Sequence, residues 1–323
     1  MSQASVPAHA AALPGPAARL VASRLFWITL VAFAAAMVLP LWMSGYVLGL
    51  LTVAYYFGVF SMAWDLLFGF AGEVNFGPTF LIGLGAYTAG ILNGHGVGVP
   101  LCILAGAIMA VVGGIVLALP ALRVRGPYFG LTTLVAVLML QNMVVVFAEF
   151  TGGEIGLTVP DVISIDSTTN YYLALGFMVV SGLILFIISR SPIGLILQAS
   201  GQDPVATGAL GFNVAKHKVT AFCVSAFFSG LAGALLVFYF GTASVGTLID
   251  VAVGVQVIIA AVLGGRRTIV GAAFGAVFLI AAGEALRPLG QLSTLVVSAV
   301  ALAVILFVPS GLLGILTRRE GQS

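Results

Sequence analysis

Between Arg24 and Asp65 the chain runs for 40 residues without a charge, and between Glu73 and Arg123 for another 49. A helix crosses a hydrocarbon core of ~30 Å with about 20 apolar residues, so each run holds more than one crossing. Turn residues stand where the runs need breaking: Pro40 with Ser44-Gly45 in the first, and Gly94-His95-Gly96 with Pro100 in the second. Further uncharged runs cover 126–148, 167–189, 219–249, 251–265, 268–283 and 288–317.

Composition closes the soluble alternative. Only 12 basic and 10 acidic residues occur in 323, a charged fraction of 7%, against about 25% in a soluble domain. The expected fold class is therefore an all-α integral membrane protein with about ten transmembrane helices. The spans fall at about 25–43, 46–69, 76–93, 100–120, 127–148, 170–189, 218–240, 249–265, 271–287 and 291–316. Apolar residues surround each span, as for helices that face lipid and one another. The ten-residue alternation of a membrane barrel is not visible.

Orientation follows from basic residues in short loops. With the N-terminus in the cytoplasm, Arg19, Arg24, Arg123, Arg125, Arg190, Lys216, Lys218, Arg266, Arg267, Arg318 and Arg319 lie inside. That is 11 of the 12, with Arg287 outside. The 149–169 loop, with Glu149, Glu154, Asp161 and Asp166 and no basic residue, suits the outer face. Both termini are then cytoplasmic: 1–24 is a disordered tail, 25–317 the membrane domain with 190–217 as its longest inner loop, and 318–323 a short tail. Leu25–Phe33 followed by Ala34-Ala35-Ala36 also fits a cleaved signal peptide. The run continues apolar to Met43, which favours an uncleaved anchor.

Catalytic chemistry is missing. His9, His95 and His217 assemble into no metal-ligand spacing or triad, and neither lysine belongs to a phosphate loop. Cys102 and Cys223 lie in different spans and read as small apolar residues. The expectation is a protein that is not an enzyme, carries no cofactor and has no nucleic-acid partner. Carboxylates within spans are Asp65, near an inner end, and Glu284, near an outer end with Arg287 three residues on as a local partner. Asp65 fits either the inner headgroup level or a pore.

Glycine supplies 41 of 323 residues, close to twice the usual ~7%. Ser225, Ser229 and Gly233, and the pair Gly271 and Gly275, stand at helix-packing spacing. The stretches 69–79 and 264–271 interrupt spans with flexible, polar residues. Each reads as a cytoplasmic turn or as irregular backbone lining a substrate path. In 190–217, Asp203 and Pro204 start and Gly211 stops a short amphipathic helix around 203–210. Its exposed apolar side asks for a partner protein or the membrane surface.

These motifs together resemble the LivM-type permease of branched-chain amino-acid ABC importers. The resemblance is carried by Leu66-Leu67-Phe68-Gly69-Phe70-Ala71-Gly72, Gly83-Leu84-Gly85-Ala86-Tyr87-Thr88 and Leu122-Arg123-Val124-Arg125-Gly126-Pro127-Tyr128-Phe129. It continues through Thr151-Gly152-Gly153-Glu154-Ile155-Gly156-Leu157, Ser191-Pro192-Ile193-Gly194 and Ala209-Leu210-Gly211-Phe212-Asn213-Val214. Gly264-Gly265 with Thr268 and Gly271, then Pro309-Ser310-Gly311-Leu312-Leu313-Gly314, complete it in family order.

The resemblance implies a multi-pass permease of the bacterial inner membrane. Its partners would be a LivH-like sister permease, two cytoplasmic ATP-binding subunits that use the ATP, and a periplasmic substrate-binding protein. It implies an ATPase-coupling segment containing Gly194, Gln202, Asp203, Pro204 and Gly211. Candidates for the substrate path are Asp65, Glu73, Asn75, Thr79, Tyr87, Gly264, Gly265 and Thr268. Departures bear on the solute: the family usually has Asn at Asp65, Gln at Glu73 and Ser at Asn75. Its usual Gly-Gly-x-Gly-Thr reads Gly264-Gly265-Arg266-Arg267-Thr268 here, and the basic residues usual before the Asp203 region are replaced by Leu195-Ile196-Leu197-Gln198. Relatives carry leucine-type amino acids, urea, short amides or aromatic acids, so the resemblance leaves the solute open. The alternative is a stand-alone secondary carrier or channel.

Overall fold

The computed structural model describes residues 24–121, 124 and 127–290, and beyond these 292, 296, 299, 302 and 311. The tails expected at 1–24 and 318–323 and the span expected at 291–316 lie outside the described residues, save for Arg24 and those isolated positions. The chain falls into two compact units, one ending at Trp42 and the other beginning at Met43. The first holds α1 (Arg24–Val38), an apolar helix of 15 residues. Pro40 follows in a 3-10 turn over Leu39–Leu41 and ends it, since proline has no N–H to continue the ladder.

The second unit begins with α2 (Gly45–Asp65), which passes into a π-helical turn over Leu66–Phe70. Next come α3 (Pro78–Gly94), α4 (Val99–Ala121), α5 (Pro127–Val146) and the short α6 (Ala148–Thr151). Then follow α7 (Ser167–Arg190), α8 (Pro192–Gln202), α9 (Pro204–Ala209) and α10 (Val214–Phe240). The last are α11 (Val245–Leu248), α12 (Val251–Gly264) and α13 (Ile269–Ala285). Two residues on each side form the described sheet: β1 (Leu157–Thr158) pairs antiparallel with β2 (Thr242–Ala243), Leu157 opposite Ala243.

The described chain is thus all-α. Six stretches are long and apolar enough to cross a membrane: Gly45–Phe70, Val99–Pro120, Tyr128–Val146, Ser167–Arg190, Val214–Phe240 and Val245–Gly264. Apolar helices also stand where the expected spans 25–43, 76–93 and 271–287 lie, but α1, α3 and α13 are only 15, 17 and 17 residues long. Helix starts follow local chemistry. The side chains of Asp166, Ser191, Asp203, Asn213 and Asp250 accept backbone N–H bonds from the first turns of α7, α8, α9, α10 and α12.

Helix α10 runs through the centre, against α3 and α4 on one side and α2 on another. Glycine sets this closeness: a Cβ on Gly85 of α3 would overlap the backbone of Gly230 of α10. Hydrophobic drive does not join helices in lipid, so such backbone contact and interhelical hydrogen bonds hold the bundle. Ser225 Oγ donates to the Ala63 carbonyl at 2.8 Å, Ser61 Oγ to the Val257 carbonyl at 3.3 Å, and the Tyr55 and Tyr171 hydroxyls meet at 2.8 Å.

Candidate functional site

Sequence motifs far apart in the chain converge where α2 ends. Asp65 is fully buried, and its two carboxylate oxygens accept the backbone N–H groups of Arg267 (3.0 Å) and Thr268 (3.1 Å). These two residues lead into α13, so Asp65 satisfies donors that the start of a helix leaves without internal partners. Arg267 holds φ at +61°, the left-handed region that favours glycine. Its Nε donates to the Gly69 carbonyl at 2.9 Å inside the π-helical turn, and the Arg266 guanidinium lies 4.3 Å from the Phe68 ring centroid. Thr268 Oγ1 donates to the Gly265 carbonyl at 2.5 Å. Gly264 lies directly on Gly271, and Gly311 comes against Gly264 and Gly265.

The next polar residues extend this cluster. Glu73 forms a nearly buried ion pair with Lys218 on the first turns of α10, and its N–H donates to the Leu67 carbonyl at 3.0 Å. Asn75 Oδ1 accepts the Gly77 N–H at 2.8 Å, while the Asn75 carbonyl accepts Trp64 Nε1 at 2.6 Å. Gly72 (φ +72°) stands against the end of α8: a Cβ there would lie 3.0 Å from Gly201 Cα. Helix α8 is therefore seated on the π-helical turn and the residues after it.

Of the residues assigned to the coupling segment, Gly194 is buried where α8 turns away from α7, with no room for a side chain beside the Ser189 carbonyl. Gln202 and Asp203 are exposed, and Asp203 Oδ1 accepts the Val205 and Ala206 N–H groups, each at 2.9 Å. Pro204 opens α9 and Gly211 (φ +90°) lies just past its end, as the sequence predicts. Val205 and Leu210 leave 70% and 76% of their surface exposed, an apolar edge next to the Asp203 cap.

Thr79 and Tyr87 lie two turns from each other on α3. Both are buried, and neither Thr79 Oγ1 nor the Tyr87 hydroxyl has a hydrogen-bond partner among the described residues. Thr79 packs against Gly254 of α12. Tyr87 borders a cavity of about 180 Å³ with Thr88, Leu140, Val144, Phe147 and Thr151 between α3, α5 and α6. The structure thus joins Asp65, Gly265 and Thr268 at the entrance to α13, sets Glu73 against Lys218 and Asn75 against Trp64 and Gly77, and buries Thr79 and Tyr87 on α3 without hydrogen-bond partners among the described residues.

Two features escaped sequence reasoning. Helix α8 stands within the stretch expected as loop, although Ser191-Pro192 is the same cap-and-proline signal as Asp203-Pro204. The span expected at 249–265 is α12, and ahead of it stands the short α11, separated from it at Ile249-Asp250, with Asp250 capping α12. An acidic residue just ahead of an apolar run was the available signal. No group of three or more His, Cys, Asp or Glu side chains that could hold a metal occurs among the described residues.

The family described as "Branched-chain amino acid transport system / permease component" matches residues 46–309. The "High-affinity branched-chain amino acid transport system permease protein LivM" of Escherichia coli (strain K12) is 26% identical over 336 residues, covering 93% of this chain and 77% of that protein. The "High-affinity branched-chain amino acid transport system permease protein BraD" of Pseudomonas aeruginosa is 34% identical over 140 residues, 43% of this chain and 45% of the relative. The "Ribose import permease protein RbsC" of Haemophilus influenzae is 26% identical over 190 residues, 56% of this chain and 57% of the relative. No solved structure matches at comparable significance. The family match covers most of the chain and its helices are apolar enough to span a bilayer, so the protein belongs to the permease components of branched-chain amino acid transport systems: an inner-membrane permease, not an enzyme.

Proposed function

We propose that the chain is one of two permease subunits of an ATP-binding-cassette importer that carries branched-chain amino acids inward. A LivH-like permease, two cytoplasmic ATP-binding subunits that use the ATP and a periplasmic binding protein complete the assembly. The chain spans the membrane about ten times with both termini in the cytoplasm, as the distribution of basic residues supports. In this reading 1–24 and 318–323 are tails around a membrane domain of 25–317.

The observation that carries the reading is the capped helix pair α8–α9, which presents an apolar edge while resting on the π-helical turn through Gly201 and Gly72. An ATP-binding subunit docked on that edge would push on α8. Because α8 is seated against Gly72, the push reaches the Asp65 cluster and hence α2, α10 and α13 together. Asp65, Glu73, Asn75, Gly264, Gly265 and Thr268 in this account transmit motion, whereas Thr79 and Tyr87 on α3 remain candidates for the solute path. The partner's ATP state thereby biases a two-state arrangement of the helices. Deleting Pro204–Ala209 is expected to abolish co-purification of the ATP-binding subunits while the chain still inserts. Unchanged co-purification would refute the docking assignment.

A further inference from the structure

Helices α11 and α12 make up one apolar stretch of 20 residues, Val245–Gly264, broken at Ile249-Asp250. The break is satisfied from the side: Gln141 Nε2 of α5 donates to the Ile249 carbonyl at 3.0 Å, and Asp250 Oδ1 accepts the Ala252 N–H at 2.7 Å. Irregular backbone within a span persists only where protein or a water-filled cavity surrounds it. One side of α12 is fixed in protein. Gly254 sits on Thr79, the Val257 carbonyl accepts Ser61 Oγ, and Gly275 of α13 leaves no room for a side chain beside the Ala260 carbonyl.

The opposite side is open. Ala252, Val255 and Gln256 are exposed, and Gln256 is the twelfth of the 20 residues, near the middle of the stretch. Its carboxamide makes no hydrogen bond among the described residues. By contrast, Gln141 and Asn142 on α5 each donate to a carbonyl, at 3.0 and 2.7 Å. A carboxamide aimed at hydrocarbon without a partner is strongly unfavourable, so this face does not meet lipid in the working assembly.

We propose that the open face of α12 is one wall of the solute passage and that the Gln256 carboxamide touches the solute near mid-depth. The proposal rests on the permease reading above and supplies a contact for it. A carboxamide carries a donor and an acceptor but no net charge. It can donate to an α-carboxylate and accept from an α-ammonium, which suits a solute that is zwitterionic and neutral overall. The second permease closes the passage from the far side, because one chain presents a single wall.

The test uses the full importer in proteoliposomes, in a Cys102→Ala, Cys223→Ser background, with Gln256→Cys compared with Leu183→Cys. Leu183 is 58% exposed on α7, beside the exposed Val180 and Ile187, and serves as the control from a wholly apolar face. A charged, water-soluble methanethiosulfonate is expected to label Gln256→Cys about tenfold or more faster than the control, because only a solvated thiol ionises to react. Leucine should slow that labelling, and Gln256→Leu should raise the half-saturating leucine concentration about tenfold, the usual worth of a hydrogen bond to a charged group. Labelling as slow as the control overturns the wall assignment, whether lipid or packed protein covers the residue. Fast labelling that leucine does not slow, with Gln256→Leu transporting normally, overturns the contact. Leucine uptake by the parent importer is read separately: its absence would count against the permease reading and not against the placement of Gln256.

Discussion

Asp65 shows how much one buried side chain can organise. Its carboxylate holds two backbone N–H groups from residues about 200 positions later in the chain, at the entrance to α13. Asp65→Ala would leave those donors buried and unpaired, a cost of about 1–3 kcal/mol for each group. Thermal unfolding in detergent should fall clearly for Asp65→Ala and less for Asp65→Asn, which keeps an acceptor. Equal loss in both variants would mean that the charge, not the cap, matters. Glu73 and Lys218 make a different prediction. Removing one member of a nearly buried ion pair costs about 3–5 kcal/mol, whereas replacing both by apolar groups can be close to neutral. Lys218→Met should therefore destabilise more than the double variant Glu73→Leu, Lys218→Met, as denaturation of each would show.

At the scale of elements, local chemistry and close packing act separately. Asp203→Ala removes the cap of α9 and should cost about 1 kcal/mol of local helix stability, read as faster amide exchange at Val205 and Ala206. Asp166 caps α7 with bonds from the Thr169 N–H (2.8 Å) and Oγ1 (2.7 Å), which hold its carboxyl below the ordinary carboxylate range. A lowered value means that this contribution is complete above the ordinary range and is lost as pH falls through the lowered one. Protection of the Thr169 amide should decline in acid for the natural chain and not for Asp166→Asn; identical profiles would contradict the cap. Where a signal is local, it is legible in sequence: Asp203-Pro204 and Gly211 bound α9 as read, and Glu284 pairs with Arg287 at 3.2 Å as its spacing suggests. The π-helical turn, the seating of Gly72 on Gly201 and the meeting of Asp65 with Arg267 depend on packing between distant segments, which no local pattern encodes.

Across the whole molecule, the same division explains why membrane character was plain and the working parts were not. Charge-free runs report the solvent each segment occupies, so the described apolar helices lie within a few residues of the expected spans. Apolar residues on every side of a span, however, do not tell a lipid-facing side from a protein-facing one, and the Gln256 face emerged only from the packing of α12. Glu73 follows Gly72 at the seat of α8 and pairs with Lys218, and Asp65 ties the end of α2 to the entrance of α13. Carboxylates that an ion-driven carrier would use are already engaged: Asp65 with backbone and Glu284 with Tyr46 and Arg287. The most direct test is leucine uptake into proteoliposomes containing this chain with its sister permease, ATP-binding subunits and binding protein. Uptake is expected only with all partners and ATP present. Uptake by this chain alone, driven by a proton or sodium gradient, would contradict the account.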